Sequence, residues 1–272
     1  SSMSISHISE YVQFKERIVG LHFFNPVVII PLVEVVKGNE TSNEVMQTAY
    51  DFCVKIKKVP VRVEKDSPSF IINRVNGPNR IYLGAVVDEG IAEPEEIDAL
   101  IRYDGKPIGH FELADHIGLD VTHDAAEYRK RVLHPEYEPY QKLKEKVQVK
   151  EFGKKTGKGF YDWSNGRPKI DVRKRTDKIK IYDLDFIKFN EAVKLIEEDV
   201  STVHDIDLAF RLTGDKKGPF EAVQDFNLKE IIERLEFLSD KYQKEILKPA
   251  KLLSEYSTNG KVFTPKMKDI EK

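Results

Sequence analysis

The chain repeats itself, and that repetition limits its fold more than any other feature. When Gly109 is laid on Gly218, the same ungapped register puts Glu89 on Glu198 and Ile97-Asp98 on Ile206-Asp207. It also puts Arg102 on Arg211, Gly105 on Gly214, Phe111-Glu112 on Phe220-Glu221 and Leu119 on Leu228. A constant register with matched apolar positions between its fixed points implies two duplicated units expected to pack against each other. Strand signals nearly vanish in this half, where short helical segments alternate with Gly, Pro and Asp. The duplicated part is therefore expected to be all-helical.

The N-terminal part reads differently. Residues 6–17 suggest a helix. Ile18-Val19-Gly20-Leu21-His22-Phe23-Phe24 is a short apolar run stopped by Asn25-Pro26, which predicts a buried strand. Leu32-Val33-Glu34-Val35-Val36 predicts a second strand, and Thr41 or Ser42 caps a helix running to about Ile56. Val59 to Glu64 alternates as a half-exposed strand, with Pro60 suited to an edge or a strand start. Asp66-Ser67-Pro68 opens a helical run from Phe70 to about Glu89, with a kink expected at Gly77-Pro78. Residues 164–185 include a polar, basic stretch and read as a linker.

Composition excludes several functions. With 44 basic against 46 acidic residues the net charge is −2, so no basic field exists to hold nucleic acid or an anionic membrane. No apolar stretch is long enough to span a bilayer, and residues 1–20 lack a signal peptide's apolar core, which makes the cytoplasm the default address. Cys53 is the one cysteine, so no internal disulfide is possible. It sits in an apolar helical pattern and reads as a core residue. His110, Glu112, Asp115, His116 and His123 cluster in sequence, but their spacings match no common zinc pattern and no metal is expected.

His22 and Glu34 carry the chemistry. A histidine closing an apolar strand sits where open α/β sheets place ligands, although a lone histidine is more often a core residue bonded to a carbonyl. Glu34 shifts that balance. In mid-strand among valines its carboxylate loses water, at a cost of several kcal/mol unless a partner compensates. A histidine on the neighbouring strand is the economical partner. The carboxylate would fix its tautomer and leave the other ring nitrogen free as a base. The plain alternative is that Glu34 points outward from an edge strand.

Gly20-Leu21-His22-Phe23-Phe24-Asn25-Pro26-Val27 followed by Leu32-Val33-Glu34-Val35-Val36 resembles the signature of 3-hydroxyacyl-CoA dehydrogenases. The resemblance extends to Ser1-Ser2, Phe70-Ile71-Ile72-Asn73-Arg74, Gly109-His110-Phe111-Glu112-Leu113-Ala114-Asp115 with Gly118-Leu119-Asp120, and Phe152 to Tyr161. It covers residues 1–163 in the family's order, and the second repeat resembles the extra helical unit of the fused, multifunctional members. The resemblance implies oxidation of a 3-hydroxyacyl-CoA to the 3-keto form with NAD as cofactor. His22 would be the base, Glu34 its orienter, Ser1 and Asn73 substrate-binding residues, and Asn25 and Lys155 residues near the cofactor.

Two local departures stand out: His110 replaces a usual Pro and Ser69 a usual Gly. More important, no Gly-x-Gly-x-x-Gly occurs, so the phosphate-cradling turn is missing. The chain is expected to be a truncated form, mostly α. The remnant of a Rossmann-like α/β domain (1–66) would precede two tandem all-helical units (67–163 and 186–258) joined by the 164–185 linker. Expected partners are an acyl-CoA substrate and either a second copy, as a homo-oligomer, or the cofactor-binding half. A non-catalytic acyl-CoA-binding or assembly module and a dehydrogenase of free 3-hydroxy acids stay open as alternatives.

Overall fold

A computed structural model describes residues 3–263 of the chain. Ser1, singled out by the resemblance, lies outside the described residues. Three strands form one sheet in the order β1 (Val19–Phe23), β2 (Leu32–Lys37), β3 (Val59–Val63). β1 runs antiparallel to β2, and β3 runs parallel to β2. The helices in this region are α1 (Ile5–Ser9), α2 (Asn43–Lys55) and α3 (Ile72–Val75). There follow α4 (Gly77–Asp88), α5 (Pro94–Tyr103), α6 (His110–Ile117), α7 (Leu119–Val132) and α8 (Gln141–Gln148). The remainder are α9 (Ile181–Glu197), α10 (Val203–Leu212), α11 (Pro219–Ala222), α12 (Leu228–Tyr242) and α13 (Lys251–Asn259). None of the described helices is long and apolar enough to cross a membrane.

The described residues form two compact units that cut across the chain order. One holds those of Ser1–Asn76, Asp185–Phe237 and Leu247–Lys272; the other holds Gly77–Leu184 and Leu238–Ile246. In the first, β2 alternates strictly. Val33 and Val35 face α2, where Met46, Ala49 and Cys53 recur at helical spacing and pack with Val19, Leu21 and Phe23 of β1. Leu32, Glu34 and Val36 point to the opposite face, equally buried. Ser42 caps α2 by accepting from the Val45 N–H. Thr41 instead ties the turn to β1, donating to the Ile18 carbonyl and accepting from the Gly38 N–H.

Three local expectations shift. β1 is a half-buried edge strand rather than a buried one, since only Gly20 of its residues is buried. The helix read over 6–17 stops at Ser9, and a 3-10 turn takes up Lys15–Arg17. Tyr11, Val12 and Phe14 are exposed, so no packed apolar face propagates the helix, and most helical stability comes from such a face. The run from Phe70 breaks into α3 and α4 at Asn76–Gly77, beside the kink expected at Gly77–Pro78, but it starts only after Ser69 and Phe70 take φ of 73° and 58°. Such values are strained for residues with a Cβ.

In the second unit, Asp115 pins the 152–163 segment beneath α6. Its carboxylate accepts from the Phe160 and Tyr161 N–H groups and from the Trp163 indole, each at 2.9 Å. A Cβ on Gly159 would stand 2.2 Å from that carboxylate, so only glycine fits. Asp98 of α5 accepts from the Phe111 and Glu112 N–H groups at the start of α6, while Glu112 accepts from the Gly109 N–H. Within the first unit, Asp207 of α10 accepts from Phe220 N–H and Glu221 accepts from Gly218 N–H. A Cβ on Gly109 would meet Asp98 at 2.2 Å, and one on Gly218 would meet Asp207 at 2.2 Å.

Candidate active site

His22 and Glu34 are direct partners in the antiparallel register of β1 and β2. Opposed residues present their side chains on the same face, within reach of each other. Here that face is the one turned away from α2. His22 Nδ1 lies 2.5 Å from Glu34 Oε2. The second carboxylate oxygen, Oε1, accepts from the Ile72 N–H at 2.9 Å and the Ile71 N–H at 3.2 Å. Glu34 is therefore fully buried with both oxygens engaged, which answers the desolvation cost that made it conspicuous in the sequence. With the carboxylate held by two backbone donors, it accepts the Nδ1 proton and leaves Nε2 as the free ring nitrogen.

The ring is fixed sterically as well. Phe24 approaches edge-on at 4.5 Å between centroids, and Phe70 tilts against it at 5.3 Å. A cavity of about 280 Å³ opens beside it, lined by Ile5, Ile8, Gly20, Val36 and Phe70 among others, and among the described residues His22 is the one ionisable group on its wall. The imidazole keeps 13% of its side-chain surface exposed. The arrangement can take a proton from a hydroxyl presented by a mostly apolar reactant.

The remaining residues singled out in the sequence are placed less closely. Asn73 follows Ile72 on α3, is half-buried, and its amide forms no hydrogen bond within the described residues. Asn25 is exposed in the turn after β1, where the Asn25–Pro26 peptide is cis. Lys155 belongs to the second unit, ion-paired with Asp120 and over the Phe152 ring at 5.3 Å. Glu112 and Asp115 serve as helix and loop anchors, and no group of three His, Cys, Asp or Glu among the described residues is arranged to hold a metal ion.

Sequence reasoning missed the backbone grip on Glu34. The signal was Ser69, standing where the family usually has Gly: the left-handed backbone at Ser69 and Phe70 turns the next two N–H groups onto the carboxylate. Arg74 was likewise missed as an anchor. It is buried and reaches Ser67, Glu191 at 2.5 Å and Glu198 at 2.8 Å, tying α3 to α9.

No glycine-rich turn of the kind that cradles a dinucleotide's phosphates occurs among the described residues. The turn from β2 into α2 is the strand-to-helix connection where a pyrophosphate could settle. Its Gly38 is already covered, since a Cβ there would meet Ile5 and Thr41 side chains at 3.2 Å.

The family model described as 3-hydroxyacyl-CoA dehydrogenase, NAD binding domain, matches residues 1–67. The one described as 3-hydroxyacyl-CoA dehydrogenase, C-terminal domain, matches twice, at 70–163 and 186–270. The mitochondrial hydroxyacyl-coenzyme A dehydrogenase of Mus musculus is 38% identical over 166 residues, covering 60% of this chain and 52% of that protein. The fatty acid oxidation complex subunit alpha of Psychrobacter cryohalolentis is 33% identical over 234 residues, 77% of this chain and 32% of that one. Among solved structures, the 3-hydroxybutyryl-CoA dehydrogenase of Escherichia coli K12 superimposes with a TM-score of 0.85 at 26% identity, covering 95% of this chain and 74% of that chain. The chain thus spans about half the length of the mitochondrial relatives it matches. With both family models matched in order around a histidine held by a buried glutamate, the chain belongs to the 3-hydroxyacyl-CoA dehydrogenase family.

Proposed function

We propose that this chain carries the acid–base and substrate-positioning part of an NAD-dependent oxidation of 3-hydroxyacyl-CoA to 3-ketoacyl-CoA. The observation that carries the proposal is the 2.5 Å contact between His22 and Glu34, with the carboxylate further held by two N–H groups. His22 Nε2 takes the proton from the substrate's 3-hydroxyl as the C3 hydrogen departs with both electrons of its bond. Glu34 keeps Nδ1 protonated and balances the imidazolium that forms. Asn73 offers a free amide, donor and acceptor, toward the acyl group. Ser1 would bond the substrate's 3-oxygen, and Asn25 and Lys155 would belong to the cofactor side; these three assignments rest on the resemblance alone.

NAD is the proposed hydride acceptor on the family's description. Because no glycine-rich turn occurs in the sequence, the proposal includes association with a segment bearing one. The two matches of one C-terminal family model, with the parallel Asp98–Gly109–Glu112 and Asp207–Gly218–Glu221 geometries, support a tandem duplication of the helical unit.

The test is NADH formation from 3-hydroxybutyryl-CoA when the chain is combined with a separately expressed half containing that turn. Turnover that His22→Gln abolishes, with little change in thermal stability, is the expected result. A folded complex without turnover would favour a non-catalytic acyl-CoA-binding or assembly module. Equal rates on free 3-hydroxybutyrate would remove coenzyme A from the substrate.

A further inference from the structure

The corner that grips Glu34 is short and strained. Ser69 and Phe70 take left-handed φ of 73° and 58°, and α3 behind them is one turn of four residues. Such a conformation persists only where its surroundings over-determine it, and a single turn gains too few hydrogen bonds to hold itself. The corner nevertheless supplies three features of the site. The Phe70 ring lies against His22 at 5.3 Å, the Ile71 and Ile72 N–H groups hold Glu34, and Asn73 follows on α3.

Arg74 spans that corner, and it is buried. Its Nε donates to Glu191 at 2.5 Å. One terminal nitrogen donates to Ser67 at 2.8 Å and to Glu198 at 3.3 Å, and the other donates to Glu198 at 2.8 Å. One planar cation thus ties Ser67, ahead of the left-handed pair, to α3 behind it, and fixes both to carboxylates of the α9 region. Burial disfavours its charge, but Glu191 and Glu198 more than offset that and hold the guanidinium above its ordinary pKa. The seat is itself firm. Phe186, Phe189, Val193 and Leu195 of α9 are buried, and Asn190 donates to the Lys248 carbonyl and accepts from the Ala250 N–H, each at 2.8 Å. All of these residues belong to the unit that holds the sheet.

We propose that Arg74 is a positioning residue for the His22–Glu34 pair, seated on Glu191 and Glu198. It acts through the Ile71 and Ile72 N–H groups. With the guanidinium in place, the corner keeps both donors on Glu34 Oε1, which leaves Oε2 aimed at His22 Nδ1. Without it the corner relaxes, the donors leave, and the carboxylate can rotate away from the ring. His22 then loses the partner that fixes its tautomer, and Nε2 takes up the proton for part of the time. Glu191 and Glu198 both lie in the second stretch matched by the C-terminal family model, 186–270. The second helical repeat therefore sets the geometry of the base. The inference rests on reading His22 as a base oriented by Glu34.

The test uses the full chain and two readouts by NMR, amide hydrogen exchange and the nitrogen-15 signals of the His22 ring. Neither needs turnover, so failure of the proposed dehydrogenase activity and failure of this positioning are separate results. The variant is Arg74→Met with Glu191→Leu, which removes the cation together with the acid it would strand, so that global stability stays close to the parent's. Exchange at Ile71 and Ile72 should quicken at least about tenfold while α2 of the same unit keeps its protection. The ring should lose its single Nδ1–H form. Should the double variant fail to fold, Glu198→Gln removes one arm alone, at a side chain 45% exposed, and should quicken the same two amides selectively. Parent-like exchange at Ile71 and Ile72, or quickening shared equally by α2, overturns the proposal, as does a ring that stays wholly Nδ1–H in the double variant.

Discussion

Replacing Glu34 with Gln keeps every heavy-atom position and removes one charge. In the protein, Oε1 holds the Ile71 and Ile72 N–H groups and Oε2 holds His22 Nδ1. The amide oxygen of Gln can take over the two backbone donors, but its NH₂ then faces Nδ1. Two donors cannot share that contact, so the imidazole must move its proton to Nε2, the nitrogen that needs to be bare. Three hydrogen bonds to a charged acceptor, at about 1.5–3 kcal/mol each, become neutral ones at about 0.5–1.5. The stability loss for Glu34→Gln is therefore about 2–4 kcal/mol. Glu34→Ala strands two buried N–H groups and leaves a cavity, and should lose more, about 4–6 kcal/mol. A wrong tautomer should lower turnover of the complete enzyme by roughly 10³–10⁴-fold, the scale seen when a triad's orienting carboxylate becomes an amide. Nitrogen-15 NMR of the His22 ring reads the tautomer directly, and urea unfolding followed by circular dichroism reads the stability. A Glu34→Gln protein whose Nδ1 still carries the proton, or a Glu34→Ala protein within 1 kcal/mol of the parent, would refute the reasoning.

Gly109→Ala and Gly218→Ala should each destabilise by about 1–3 kcal/mol, since each new Cβ meets an aspartate at 2.2 Å; unchanged unfolding midpoints would contradict this. Arg74→Met leaves Glu191 buried with Lys194 as its remaining cation, and should lose about 3–5 kcal/mol, most of it recovered when Glu191→Leu is added. Burial raises the carboxyls of Asp98 and Asp207 from 3.8 to about 6 in the folded chain. Their contribution is fully present below pH ~4, where both states are protonated, and is lost as pH rises through ~6, on the order of 2 kcal/mol for each. Asp98→Asn should flatten the midpoint-versus-pH curve between about 4 and 6, and an unaltered slope in that window would count against the assignment. Carboxyls lowered by ion pairs, such as Glu138 at about 2, act mainly below that window.

How far the sequence reaches can be judged from particular residues. The strands at 19–23 and 32–37, a helix cap at Thr41 or Ser42 (Ser42 in the structure) and the core position of Cys53 follow from periods and caps that a few neighbouring residues define. So does the pairing of His22 with Glu34, because a carboxylate placed among valines demands a partner whatever the rest of the chain does. The relation of Gly109 to Gly218 is visible because the clash that requires each glycine comes from an aspartate at the same short separation. Tertiary structure alone decided the rest. It brought Ile71 and Ile72 onto Glu34 and Arg74 onto Glu191. It halted α1 at Ser9, joined 185–237 to the sheet's unit and paired Lys155 with Asp120. The physical reason is range. Periodicity and capping are settled within a turn or two of chain, whereas hydrogen-bond partners and counter-ions are chosen by whichever groups the folded backbone brings near.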